Sequence, residues 1–85
     1  MREVNYIISD EAGLHARPAG LLVKLVQKYK SEILLKSGEK SCSAKNIFSI
    51  MSLAVKKGDT ITLLIEGKDE AAAEDELKVF VKENL

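Results

Sequence analysis

One histidine occurs in the chain, His15, and it stands in the run Gly13-Leu14-His15-Ala16-Arg17-Pro18-Ala19. Pro18 lacks an N–H, which is damaging inside a helix but costs little in its first turn, where the leading donors have no intrahelical acceptor. The run therefore marks a helix start, with Arg17 either the first helical residue or the last one outside. Free backbone N–H groups and the positive end of the helix dipole make such a start an anion site, and a neutral imidazole at its mouth can attack phosphorus. Arg17 adds a planar, permanently charged fork that matches phosphoryl oxygens. Nucleophile and anion clamp two residues apart suit phosphoryl transfer through His15, with Ala16, Arg17 and Pro18 forming the phosphoryl-binding turn. A lone histidine near a helix end is more often a cap or a solvated side chain, so the ordered combination carries the argument.

The elements around this site follow from periodicity. Glu3 to Ser9 alternates as a strand, with Val4, Tyr6 and Ile8 on one side and Ile7 as the exception. From Ala16 to Lys30 apolar residues recur at helical spacing through Ala19, Leu22, Leu25, Val26 and Tyr29, while Lys24, Gln27 and Lys28 share the opposite face. Strands near Glu32 to Lys36 and Lys40 to Ala44 flank the hairpin connection Ser37-Gly38-Glu39. Asn46 stands as the cap of a short helix, Ile47 to Leu53. Thr60 to Glu66 is a fourth strand, and Asp69 is the expected cap of a last helix with the stripe Ala73, Leu77, Phe80, Val81 and with Glu74, Asp75, Lys78 and Lys82 outside. The order strand, helix, strand, strand, helix, strand, helix predicts an α+β fold, an antiparallel sheet covered by helices on one face and wet on the other.

A chain of 85 residues forms one domain (1–85) with a modest core, too small to enclose a substrate, so its chemistry sits at the surface. Hydrophobic residues at 46% and charged residues at 31% are ordinary for a globular protein. Thirteen basic residues cancel thirteen acidic ones, so overall charge offers no hold on nucleic acid or an anionic membrane. The single cysteine, Cys42, reads as a small apolar strand residue; with no signal peptide and no apolar run of spanning length, the expected compartment is the cytoplasm, without direct membrane insertion. Neither a cofactor nor a metal site is expected.

The run Gly-Leu-His-Ala-Arg-Pro-Ala resembles the active-site signature of the HPr family of the bacterial phosphoenolpyruvate-dependent sugar phosphotransferase system. Ile47-Phe48-Ser49-Ile50-Met51-Ser52-Leu53, followed by Lys57-Gly58, resembles that family's second segment, so the likeness spans nearly the whole chain. The resemblance implies an open-faced β-sandwich, a four-stranded antiparallel sheet in the order 1-4-2-3 with three helices on one face. It implies a carrier rather than an enzyme with turnover. His15 would accept phosphate from enzyme I through Nδ1 and pass it to IIA domains of sugar permeases. Carriers serving a nitrogen-related or dihydroxyacetone-kinase phosphorelay share the same chemistry and stay open here.

On a helix, Ile47, Phe48 and Met51 fall on one arc and Ile50 and Leu53 on another, and a short helix cannot bury both under one sheet. One arc is expected to be an exposed docking patch, and the resemblance favours Ile47, Phe48 and Met51. Arg17, Gly20 and Lys24, with Gln27 and Lys28, would form a basic rim beside it. Gly20 costs about 1 kcal/mol relative to Ala within a helix, which close approach of a partner backbone would explain. Asn46 occupies the position where many relatives from Gram-positive bacteria carry a regulatory serine, and an amide has no hydroxyl to phosphorylate. A small RNA-binding sheet would share the element order, but it needs exposed aromatic residues and basic charge, and this chain has only Tyr6, Tyr29, Phe48 and Phe80. A small acyl-phosphate hydrolase would need a general base, and none is evident.

Overall fold

A computed structural model describes residues 1–85. Its elements are β1 (Arg2–Ile7), α1 (Ala16–Val26), β2 (Glu32–Ser37), β3 (Lys40–Ser43), α2 (Ile47–Ser52), β4 (Thr60–Glu66) and α3 (Glu70–Asn84). The strands form one antiparallel sheet in the order β1-β4-β2-β3, as the resemblance implied. Register places Val4 opposite Leu63 and Leu63 opposite Leu35, and Ile33 opposite Ile65, so the β-branched and Leu positions of three strands stack on one face. The helices cover that face, where Val4, Ile33, Leu35, Ile61, Leu63 and Ile65 are buried. Glu3, Asn5 and Lys36 lie on the open side. Ile7, the residue out of phase in β1, belongs to the open side too and is 63% exposed.

The helices dock by their apolar stripes. α1 buries Pro18, Ala19, Leu22 and Val26, and α3 buries Ala73, Leu77, Phe80 and Val81. Three local expectations are corrected. The ladder of β1 ends at Ile7 rather than Ser9, because Ile8 N–H donates instead to Asp59 O at 2.9 Å and Ser9 N–H to Leu85 O at 2.8 Å. α1 ends at Val26 rather than Lys30: the N–H groups of Lys28 and Tyr29 tighten onto Leu25 O and Val26 O, and Lys45 Nζ takes Tyr29 O at 2.9 Å. Asp69 holds the N-cap position of α3, yet its side chain does not cap. Its carboxylate instead accepts from Lys30 N–H (2.8 Å), Ser31 N–H (3.0 Å) and the Ser31 hydroxyl, fastening the start of β2 to the start of α3. Glu70 caps backward, accepting from Gly67 N–H at 3.1 Å.

Candidate phosphoryl site

The loop from Ser9 to Leu14 brings His15 to the helix start, and it is held from two sides. Asp10 accepts from Gly13 N–H through its carbonyl and from Ala12 N–H through its carboxylate, a tight turn stabilised by its own side chain. Leu85 O takes the N–H groups of Ser9 and Asp10, and Leu14 N–H donates to Val55 O at 3.1 Å. Gly13 has φ of +68° and an added Cβ would lie 2.5 Å from Val55 O, so only glycine lets the loop press against the chain leaving α2.

His15 is the N-cap residue of α1, extended at φ −92° and ψ −174°, and its side chain makes no capping hydrogen bond. The imidazole is half-buried, so it is neither sealed in the core nor free of the helix start. Ala19 N–H donates to His15 O at 3.0 Å, so His15 O opens the helical ladder. The amides of Ala16 and Arg17 meet no acceptor in the protein, and no acidic side chain occupies the first turn. Pro18 is buried and has no N–H; it shapes the turn, and the donating groups come from Ala16 and Arg17. Arg17 is exposed and makes no ion pair within the molecule. At this helix start lies an open depression of about 250 Å³ lined by His15, Arg17 and Pro18, with Asp10, Leu21 and the α3 residues Glu83 and Asn84 completing it. Those four were missed by sequence reasoning. No local pattern connects residue 84 with residue 15, and only the packing of α3 behind the loop joins them.

The two arcs of α2 separate in burial. Ile50 is buried and Leu53 packs against the core, whereas Phe48 is 81% exposed and Met51 40% exposed. Ile47 is intermediate, leaning on the core and toward Gly20, where an ideal Cβ would meet only its Cδ1 at 3.8 Å. Asn46 caps α2, its Oδ1 accepting from Ser49 N–H at 3.2 Å. On α1, Lys24 is exposed on the rim, but the residues just past the helix depart from it: the Lys28 ammonium binds Glu76 of α3 at 2.9 Å, and Gln27 donates to Lys45 O. Burial pushes the Cys42 thiol up, as fits a half-buried strand residue opposite Leu35.

Charge is sorted along the chain in a way the zero total conceals. Segments 12–31 and 40–58 hold eight of the thirteen basic residues and no Asp or Glu at all. They contain α1, α2 and the loops next to them, so the surfaces of those two helices draw on acid-free segments, while eight acids lie from Asp59 onward and Asp10 and Glu83 border the depression at His15. No helix is long and apolar enough to cross a membrane.

Comparison with known proteins agrees with this geometry. Residues 2–83 match the family described as the phosphotransferase-system HPr component phosphorylation site. The HPr-like protein Crh of Halalkalibacterium halodurans is 42% identical over 82 residues, 96% of this chain and 98% of that protein. A histidine-containing phosphocarrier protein from Mycoplasma superposes with a TM-score of 0.93 at 35% identity, covering 96% of this chain and 93% of its own. HPr-C-His from Thermoanaerobacter tengcongensis gives a TM-score of 0.90 at 40% identity, covering 96% and 92%. With sheet order, helix placement and family match in agreement, the chain belongs to the HPr family of phosphocarrier proteins.

Proposed function

We propose that His15 accepts a phosphoryl group from phosphorylated enzyme I in the cytoplasm and passes it to IIA domains of sugar permeases. The observation that carries this reading is the half-exposed imidazole of His15 at a helix start with free amides, where His15 and the unpaired Arg17 line one depression. In the loading step an imidazole nitrogen, Nδ1 by likeness to the family, forms a bond to phosphorus as the donor's bond to that phosphorus breaks. Ala16 N–H, Arg17 N–H and the guanidinium receive the charged oxygens. Asp10 and Glu83 on the rim of the depression oppose the phosphoryl charge, which keeps the group transferable rather than tightly held. The exposed Phe48 and Met51, with Ile47, Gly20 and Lys24, form the docking face, and the acid-free surface around them favours acidic partners.

Asn46 has no hydroxyl, so the protein is not switched by serine phosphorylation at that position, and the carrier role is preferred over the catabolite-repression role for which Crh of Bacillus subtilis, a structure of the same fold at 34% identity, is named. Incubation with phosphoenolpyruvate and enzyme I, followed by mass spectrometry of peptides kept at alkaline pH, tests the reading. Acid-labile phosphate on His15 is expected, and label absent from His15 overturns it. Transfer to a sugar-specific IIA domain in preference to a nitrogen-related one or a dihydroxyacetone-kinase subunit separates the circuits.

A further inference from the structure

A second depression lies between α1 and α3, and the phosphoryl reading does not use it. It encloses about 360 Å³ and is lined by Leu21, Lys24, Leu25, Lys28, Phe80 and Asn84. That volume lies within the ordinary range for small-ligand pockets. Its floor is apolar: Leu21 is 44% exposed, Leu25 half-buried and Phe80 nearly covered. Its cationic wall comes from Lys24 of α1 and Lys28 in the turn just past its end, a stretch that carries no acid. The two ammonium groups are not equivalent. Lys28 is already neutralised by Glu76, while Lys24 has no ion-pair partner. Those contacts also decide the shape. Lys28 and the Tyr29 hydroxyl both bond Glu76 across the gap between α1 and α3, so the trough is bridged at that end and an extended segment cannot run through it.

We infer that this depression binds a small amphipathic anion, a compact apolar body such as an aromatic ring bearing one phosphate or carboxylate. The ring lies on Leu21, Leu25 and Phe80, and the anionic group faces Lys24. Leu21 and Asn84 line both this depression and the one at His15, so an occupant sits directly beside the phosphoryl site. The inference stands apart from the phosphocarrier reading, because its test uses the unphosphorylated protein.

Phenyl phosphate is titrated into ¹⁵N-labelled protein and amide shifts are followed by NMR, with inorganic phosphate and phenol as parallel arms. The expected result is saturable shifts at Leu21, Leu25 and Phe80 with phenyl phosphate alone. Binding should weaken about tenfold in Lys24→Glu and in Leu21→Glu, both at exposed positions where the fold is not at stake. Non-saturating shifts, shifts confined to residues 15–19, an equal response to inorganic phosphate or to phenol, or undiminished binding in both variants would each overturn it.

Discussion

At the scale of single residues, the arrangement separates groups that react from groups that shape. His15→Ala leaves the fold intact, since the imidazole makes no capping bond, and abolishes acid-labile phosphate on incubation with phosphoenolpyruvate and enzyme I. Arg17→Ala keeps the proposed nucleophile but removes the guanidinium that lines the depression beside it. A loss of about a hundredfold in transfer rate is expected by rapid quench, with Arg17→Lys in between because an ammonium cannot bind two oxygens in one plane. Tyr29 offers a separate test of the α1–α3 contact. Its hydroxyl donates to the Glu76 carboxylate, and that bond, then burial and the negative charge, push its ionisation up to about 12 while holding Glu76 low. A raised folded-state value stabilises the fold fully below pH 10, the ordinary tyrosine value, and that contribution is lost as pH rises through 12. Phenolate absorbance in a Tyr6→Phe background should therefore rise near pH 12, and Glu76→Gln should return it toward 10.

At the scale of elements, two backbone positions predict a similar gain in stability from opposite changes, one removing a carbon and one adding it. Ala54 follows α2 in the left-handed region at φ +53°, with its N–H donating to Met51 O, the place where helices commonly end in glycine. Ala54→Gly is expected to raise stability by about 1 kcal/mol, read from the midpoint of urea unfolding. Gly20 is the reverse case: nothing inside the protein excludes a methyl group, so Gly20→Ala should also stabilise by about 1 kcal/mol. Should partners need the bare backbone there, the same variant transfers phosphate more slowly despite its higher midpoint; unchanged transfer would remove Gly20 from the docking face. The Asp69 clasp gives the element scale its acid limit. The Ser31 hydroxyl, then the Lys30 amide, hold the Asp69 carboxyl below the ordinary 3.8, so its contribution is present above that pH and lost as pH falls through the lowered folded-state value. Acid unfolding of Asp69→Asn should show a shallower loss of stability below pH 4 than the parent, a flattening checked by circular dichroism.

At the scale of the whole molecule, neutrality is misleading. A protein with equal numbers of acids and bases interacts with a partner as its facing surface does, and here the proposed docking residues of α1 and α2 come from two segments without a single carboxylate, with Asp10 and Glu83 confined to the depression at His15. Association with an acidic partner should slow about tenfold between low salt and 0.5 M salt, measured by stopped flow, because screening at that ionic strength reaches within a few ångströms. A salt-independent rate would mean that apolar contacts from Phe48 and Met51 govern encounter as well as residence.

The chain by itself determined the element order, the faces of the helices, the Asn46 cap and the His15–Arg17 pairing, because each depends on spacing within a few residues and on rules of helix and strand geometry. Even the segregated charge was written in the sequence, although a summed total hides it. Tertiary structure alone decided where α1 stops, since Lys45 reaches back to Tyr29 O; why Asp69 turns from its own helix to Ser31; and why Lys28 leaves the rim for Glu76. It also decided that Asp10, Glu83 and Asn84 border the depression at His15. In each of these cases a polar group had a local option and a distant one, and the distant partner is fixed only when the sheet forms and the helices pack against it.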